Sequence, residues 1–220
     1  KSEVLQAMMP NLKAHIKLVS STPIRNISTI AGNFVNASPI GDLTAFFLAL
    51  DSKIKLQKAG DERTIALKDF YLGYKDLDKA EDEIITEVSF DSLDSCTHFN
   101  LEKVSKRVHL DIASVNSAIQ IKVEAGKITT IHLSAGGVGP TPIYLSETVT
   151  FMKGKTLSTQ LVRGANDVMQ NEVSPMSDVR GTSDYKRLLL RQLFFAHFLN
   201  LTLCYFFCFD ILKDSIFWKA

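Results

Sequence analysis

The chain is short of the features that mark several large protein classes. Its 220 residues hold only three cysteines, an odd number scattered along the chain, so they form no disulfide framework. A reducing, cytoplasmic compartment is the simpler expectation. Charge of one sign is not in excess: 25 basic residues face 24 acidic ones, for a net charge of +1. Nucleic-acid partners usually require clustered Lys and Arg, so none is expected. No apolar run of signal-peptide type follows Lys1. No Ser or Cys sits in a nucleophile elbow, which removes support for hydrolytic chemistry.

Two glycine clusters invite nucleotide readings and fail them. Met152-Lys-Gly-Lys-Thr156 resembles the end of a P-loop, but Val149 stands where the earlier glycine belongs. A helix-linking turn is the better reading. Gly136-Gly-Val-Gly139 is followed by Pro140 and Pro142, which prevent the helix that a dinucleotide fingerprint needs. The histidines His98, His109, His132 and His197 are scattered. Cys204 and Cys208 lie one helical turn apart near His197 among Phe, Leu and Tyr, which favours packing over metal ligation.

What the chain does contain is the makings of one good core or two small lobes. Its apolar fraction of 45% and charged fraction of 22% are those of a folded protein. Val4, Leu5, Met8, Met9, Leu12 and Ile16 recur at helical spacing, with Pro10 predicting a kink or split. A chain that opens inside a helix without Met reads as part of a longer protein. Ile24 to Asp42 is rich in Gly, Asn and Ser and reads as an ordered loop, followed by a short helix over Leu43–Leu50 with Asp42 as N-cap. Ser52–Leu56 and Glu62–Leu67 predict a hairpin around Lys58-Ala-Gly-Asp61. Phe70–Tyr74 forms an aromatic cluster, and Glu83–Phe90 and Thr97–Val104 read as strands.

Ser114–Glu124 and Lys127–Ser134 flank Ala125-Gly126 as a half-buried antiparallel pair, with Ile119, Ile121 and Val123 on one face. Gly136–Pro142 reads as a rigid link after it. Helices are expected from Ser146 or Thr148, over Ser158–Val168 and over Ser183–His197, the last with a basic face of Lys186, Arg187 and Arg191. Sheet followed by helices gives an α+β class, with helices on one face of a mainly antiparallel sheet. The run Leu193–Phe209 lacks charge, but its roughly 17 residues lie at the lower edge of what spans a bilayer. A packed terminal helix is expected there, not a membrane segment.

The stretch Thr29–Asp42 carries the strongest site signal. Small residues expose backbone amides that can hold a diphosphate, and Thr29, Asn33 and Ser38 can donate hydrogen bonds. Asp42 can accept from a sugar hydroxyl or cap the next helix. From residue types alone, a ligand loop and a plain turn both stand.

The run Ile24-Arg-Asn-Ile-Ser-Thr-Ile-Ala-Gly-Asn-Phe-Val-Asn-Ala-Ser-Pro-Ile-Gly-Asp42 resembles the second flavin motif of the xanthine dehydrogenase family. The resemblance continues in order through Asp69–Tyr74, Asp82–Ile85, Glu102–Arg107, Asp111–Ala113, Ala135–Pro142 and Ser174–Leu189, covering most of residues 1–198. It implies the FAD-binding part of a molybdenum hydroxylase, an oxidoreductase domain or subunit with the end of an α/β FAD lobe over residues 1–92. A C-terminal α+β lobe would span 93–199, and an unassigned apolar tail 200–220. Electrons would pass from iron–sulfur clusters through FAD to NAD⁺ or dioxygen. The molybdenum cofactor and 2Fe–2S clusters are expected on partner domains or subunits.

By position in the motif, Thr29, Ile30, Ala31, Gly32 and Asn33 would lie along the diphosphate, Asp42 on a flavin-side hydroxyl, and Ile85 and Lys103 beside the isoalloxazine ring. Lys103 would then stabilise the anionic reduced flavin. No catalytic or metal-ligating residue is assigned. Ala31 replaces a glycine frequent in the family, which is tolerable at negative φ. The family's first glycine-rich flavin loop has no counterpart here, so tight FAD binding is expected to need the polypeptide that carries it. The rival reading is a non-catalytic structural fragment that binds partner subunits without flavin.

Overall fold

The computed structural model describes residues 2–107 and 110–205. His109, Cys208, the side chain of Cys204 and the last part of the apolar tail therefore lie outside the described residues.

Four short helices open the chain: α1 (Glu3–Met8), α2 (Leu12–Leu18), α3 (Thr22–Ile27) and α4 (Ile30–Asn36). The expected break at Pro10 separates α1 from α2. Side-chain caps define three of these helices. Ser2 accepts from the amide of Leu5, Ser21 from Ile24 and Thr29 from Gly32. Each such cap contributes about 0.5–2 kcal/mol to its helix. The stretch from Ile24 to Asp42, expected as a loop, is thus mostly helical. Its Gly and Asn lower helix propensity, but the caps and the fully buried Phe34 outweigh that.

Helix α5 (Asp42–Ala49) follows a tight turn. Gly41, not Asp42, is its N-cap, and Asp42 is its first residue. A three-stranded antiparallel sheet comes next, from β1 (Lys53–Lys58) and β2 (Asp61–Ala66), joined by Ala59 and Gly60 at φ 43° and 99°. That hairpin is the one the sequence predicts. After a 3₁₀ turn at Leu67–Asp69 come the short pair β3 (Tyr71–Gly73) and β4 (Asp76–Leu77), then β5 (Ile84–Ser89), which completes the order β2-β1-β5. Arg63 fixes the intervening loop by gripping both oxygens of Glu83, at 2.7 and 2.8 Å, and the Asp78 carboxylate. This fork holds the Glu83 carboxyl at about 2.

The second sheet is an antiparallel meander in the order β6 (Thr97–Ser105), β7 (Ala113–Glu124), β8 (Lys127–Gly136) and β9 (Ile143–Tyr144). Helices α6 (Ser146–Met152), α7 (Thr159–Glu172) and α8 (Ser183–Tyr205) are the last elements among the described residues. They pack on one face of the sheet. There Val115, Ile119 and Ile121 meet Val149, Met152, Leu161, Val162, Leu190, Phe194 and Phe198. On the other face the expected polar Gln120, Lys122 and Glu124 are half-buried or exposed, but nearer the start of β7 helix α5 covers it, burying Phe99, Leu101 and Ala118 against Phe46 and Phe47. The first seven residues of β7 are therefore buried on both faces, and only its far end is half-exposed.

The expected basic face of α8 is occupied by structural contacts. Lys186 is buried, bonded to the Met176 carbonyl and 2.9 Å from Asp178. Arg187 donates to the carbonyls of Gln170 and Val173 and so caps α7. A buried polar chain also crosses the sheet. The Asn100 amide nitrogen lies 3.1 Å from His197 Nδ1, and His197 Nε2 lies 3.0 Å from Ser117 Oγ. An amide NH₂ only donates, so Nδ1 accepts and the proton sits on Nε2. Burial holds His197 at about 3, well below an ordinary imidazole.

Candidate functional site

Helices α1 to α5, with Phe90, enclose a cleft of about 660 Å³. Its floor is apolar, built from Leu5, Met9, Leu12, Leu43, Phe46 and Phe47, and its rim is polar, from Arg25, Ser28, Thr29, Gly32, Asn33 and Asn36. An apolar hollow with a few convergent polar groups is the usual form of a cofactor site, and the volume falls in that class.

Of the eight residues expected at a flavin site, Thr29, Ile30, Gly32 and Asn33 line this cleft. They do so because the Thr29 cap sets the first turn of α4 at its rim. The Thr29 hydroxyl occupies the amide of Gly32 at 2.9 Å, while helix geometry leaves the amides of Ile30 and Ala31 without an intrahelical acceptor. Gly32 is needed for space: a Cβ there would sit 2.9 Å from the Thr29 hydroxyl and displace the cap. Ala31 adopts helical, negative φ, so its departure from glycine is accommodated. Asn33 is aimed from behind. Its Oδ1 accepts from Thr44 at 3.3 Å, and Tyr71 donates to the neighbouring Phe34 carbonyl at 3.2 Å. Burial raises Tyr71 to about 12, keeping it a neutral donor. These features fit a diphosphate-bearing ligand along the rim with its less polar parts over the floor.

Ile85 and the pair Asp42 and Lys103 lie elsewhere. Ile85 is half-buried on β5 opposite Leu56, against the N-terminal core. Asp42 and Lys103 meet each other: Lys103 Nζ donates to Asp42 Oδ2 at 2.6 Å and to the Leu18 carbonyl at 2.7 Å. Asn116 Nδ2 donates to Asp42 Oδ1 at 2.6 Å and to the Ile40 carbonyl at 3.2 Å. Burial nonetheless pushes the Asp42 carboxyl upward, against the opposing pull of Lys103 and Asn116. Neither Asp42 nor Lys103 is among the residues lining the cleft.

Gly136 and Gly137, read from sequence as a rigid link, complete this joint between the halves. The Gly137 amide donates to the Pro39 carbonyl at 2.8 Å, and Gly137 has φ 84°. A Cβ at Gly136 would lie 2.4 Å from Asn116 Oδ1, and one at Gly137 2.4 Å from the Ser114 carbonyl. Sequence reasoning missed Asn116 and Arg25. Asn116 sits mid-strand, 74 residues from its partner, with no local signal. Arg25 stood inside the flavin motif but only as part of its pattern.

The other candidates resolve structurally. Gly154 in Met152–Thr156 donates to the Ile128 carbonyl, tying that turn to β8. No group of three or more His, Cys, Asp or Glu among the described residues is arranged to hold a metal. No helix among them is long and apolar enough to cross a membrane. Phe194, Phe198 and Leu201 of α8 are instead buried against the sheet.

Comparison with known proteins agrees with the geometry. Residues 1–90 match the family described as the FAD binding domain in molybdopterin dehydrogenase, and residues 101–201 the CO dehydrogenase flavoprotein C-terminal domain. The glyceraldehyde dehydrogenase medium chain of Sulfolobus acidocaldarius is 28% identical over 192 residues, covering 87% of this chain and 68% of that one. Xanthine dehydrogenase 1 of Arabidopsis thaliana is 30% identical over 190 residues, 84% of this chain but 14% of that much longer protein. Among solved structures, the carbon monoxide dehydrogenase of Hydrogenophaga pseudoflava lacking the Mo-pyranopterin moiety superposes with a TM-score of 0.82. It does so at 25% identity, over 88% of this chain and 67% of that one. Quinoline 2-oxidoreductase from Pseudomonas putida 86 shares the fold, with a TM-score of 0.80 at 18% identity, over 93% of this chain and 70% of that one.

Proposed function

The chain belongs to the FAD-binding domains of the molybdenum hydroxylases, and on that premise we propose that it holds FAD in the α1–α5 cleft as the flavin component of an oxidoreductase. The observation that carries this reading is the placement of Thr29, Ile30, Gly32 and Asn33 on the rim of an apolar cleft of cofactor size. The rim holds the diphosphate: the free amides of Ile30 and Ala31 donate to it, and Asn33 is fixed from behind by Thr44. The floor of Leu43, Phe46 and Phe47 excludes water from the less polar part of the ligand. Bound FAD supplies two-electron redox chemistry between partner centres and an acceptor; the protein supplies binding and orientation.

The partners belong to the same proposal: molybdenum-binding and iron–sulfur domains or subunits, with NAD⁺ or dioxygen as acceptor, in the cytoplasm. Asp42, Ile85 and Lys103 do not line this cleft; the flavin-side places that the family motif gives them are part of the same proposal. The test is titration of the chain with FAD, followed by flavin fluorescence, for the wild type and Gly32→Val. Because the added side chain displaces the Thr29 cap and fills the rim, affinity should fall about tenfold or more. Equal affinity in the two proteins refutes a site on this rim. A wild type that takes up no FAD even when the polypeptide carrying the first flavin loop is supplied leaves the non-flavin structural role.

A further inference from the structure

We propose that His15, His98 and His197 form an acid-operated latch between α2 and the edge of the second sheet, closed while the imidazoles are neutral and released when His15 and His98 take up protons. The three rings come from three elements, α2, β6 and α8. Strand β6 is the outer strand of its sheet, and α2 packs along that edge. There His15 is 5% exposed, with its ring edge-on to Phe99 at a centroid distance of 5.8 Å. His98 lies two residues before Asn100 on the face of β6 that α8 covers, and Asn100 bonds to His197. His15 Nδ1 and His98 Nε2 are both buried without a hydrogen-bond partner.

The joint suits neutral rings and not charged ones. A neutral imidazole has one nitrogen that only accepts, whereas an imidazolium carries a proton on both and needs two acceptors. The surrounding charges are already engaged or turned away. Glu102, on the same face of β6, accepts from Asn100 at 2.9 Å and Asn200 at 2.8 Å. Asp94, at the start of β6, is taken by Lys122 at 2.8 Å. Lys103 points to the other face, onto Asp42, and from β7 the neighbour of His197 is Ser117. Helix α2 itself carries Lys13 and Lys17, and α1 carries Glu3, all exposed. Burial accordingly lowers His15 against the raising pull of Asn100, and lowers His98 with the His15 charge adding to it. Two protons in one buried joint repel, and parting α2 from β6 relieves both repulsion and burial.

The far end of α2 is held by other means. Lys103 donates to the Leu18 carbonyl at 2.7 Å, and Arg25 to the carbonyls of Val19 at 2.6 Å and Ser20 at 2.7 Å. Neither contact uses an imidazole, so release swings the part of α2 before Leu18 about this pinned end, and α1 with it. Leu12 and Ile16 of α2, with Leu5 and Met9, line the cleft. An open latch therefore takes away one cleft wall. Its effect on a ligand rests on the flavin reading of the cleft, whereas the latch itself does not.

The experiment is amide hydrogen exchange on the full chain at about pH 7.5 and about pH 5.5, read as protection factors, for the wild type and His15→Gln/His98→Gln. An imidazole held neutral about one pH unit below its free value favours release about tenfold. Protection over residues 9–17 should fall by about that factor or more in the wild type, and the double variant should lack the fall. Opening of α2 exposes little surface, so exchange there should respond weakly to low urea, while β7 and β8 respond steeply. No fall with acid, a urea response as steep as that of β7, or a fall that survives in the double variant overturns the proposal. If the double variant does not fold, wild-type imidazole NMR shifts decide: protection lost without titration of His15 and His98 over the same range also overturns it.

FAD titration at the two pH values supplies the ligand arm. Wild-type affinity should weaken on acidification and that of the double variant should not. An equal loss in both overturns the link between latch and cleft. A wild type that binds no FAD at either pH, with the first-loop polypeptide supplied, defeats the flavin reading instead, and the exchange result then decides the latch alone.

Discussion

The two halves of this chain are stabilised in opposite ways. Helices α1 to α4 have six or seven residues each, and within them only His15 and Phe34 are buried. Helices this short are marginal in isolation, because nucleation is costly and few bonds repay it. They persist through serine and threonine caps, the Arg25 and Lys103 grips, and packing on α5. The C-terminal half rests on nine- to twelve-residue strands and a 23-residue helix that share one dense core. The proposed ligand rim lies in the first half. Helix starts leave amides free for a ligand, and many short helices offer many starts. The second half supplies rigidity, and through Lys103 and Asn116 it lends some to the first.

The largest expected effect tests the scaffold side of that contrast. Phe194 is fully buried between α8 and the sheet, so Phe194→Ala should lower global stability by about 3–5 kcal/mol. Urea denaturation should show one cooperative transition moved to lower denaturant. Loss confined to the N-terminal helices would contradict this division of labour.

Acid should attack the same scaffold through His197. Its folded pKa, about 3, lies below the ordinary 6.5, so the unfolded chain takes up the proton first. The stability this contributes is complete above about pH 6.5 and is lost as pH falls towards 3, at about 1.4 kcal/mol per pH unit. His197→Gln should flatten this part of the stability–pH profile. A wild-type profile level from pH 6.5 to 4 would show that the imidazole is not held neutral.

An intermediate effect belongs to the joint between the halves. Gly137→Ala puts a Cβ against the Ser114 carbonyl at a positive φ, and should cost roughly 2–3 kcal/mol. The loss should appear with weakened contact between the 38–41 turn and β8, seen as faster exchange of the Gly137 amide now held by Pro39. A neutral substitution would mean that the turn moves aside freely, and that the halves are less tightly joined than described.

The smallest effect sharpens the comparison most. Thr29→Ala removes one cap and should cost about 1 kcal/mol. Exchange should quicken over residues 30–36 with little change in the denaturation midpoint, because α4 can open without the sheet. A full-sized shift of the midpoint would show α4 to be part of the global cooperative unit.

Local chemistry was readable along the chain wherever one segment carried its own pattern. The stripe from Val4 to Ile16 with its break at Pro10, the hairpin around Ala59-Gly60, the Ala125-Gly126 turn and the helix opening at Ser158 all followed from neighbouring residues. The ligand role of Thr29–Asn33 came only from the family motif, and the helical form of that stretch was misread. Its composition suits a loop, and the signals for helix were only single residues: Ser21 with Pro23 just inside the next turn, and Thr29 three residues before Gly32.

The order of elements and the family motif series are legible in the chain because both are written in adjacent residues and short periods. The pairing of charges came from the fold. Asp42 and Lys103 were each placed by the family motif, but nothing in the sequence pairs them: they stand 61 positions apart and meet at 2.6 Å. The burial of β7 on both faces, the partnering of His197 with Asn100 and Ser117, and the closure of the cleft by Phe90 are of the same kind. Each depends on which surfaces fold back on one another. Desolvation then makes pairing obligatory for any polar group caught between them.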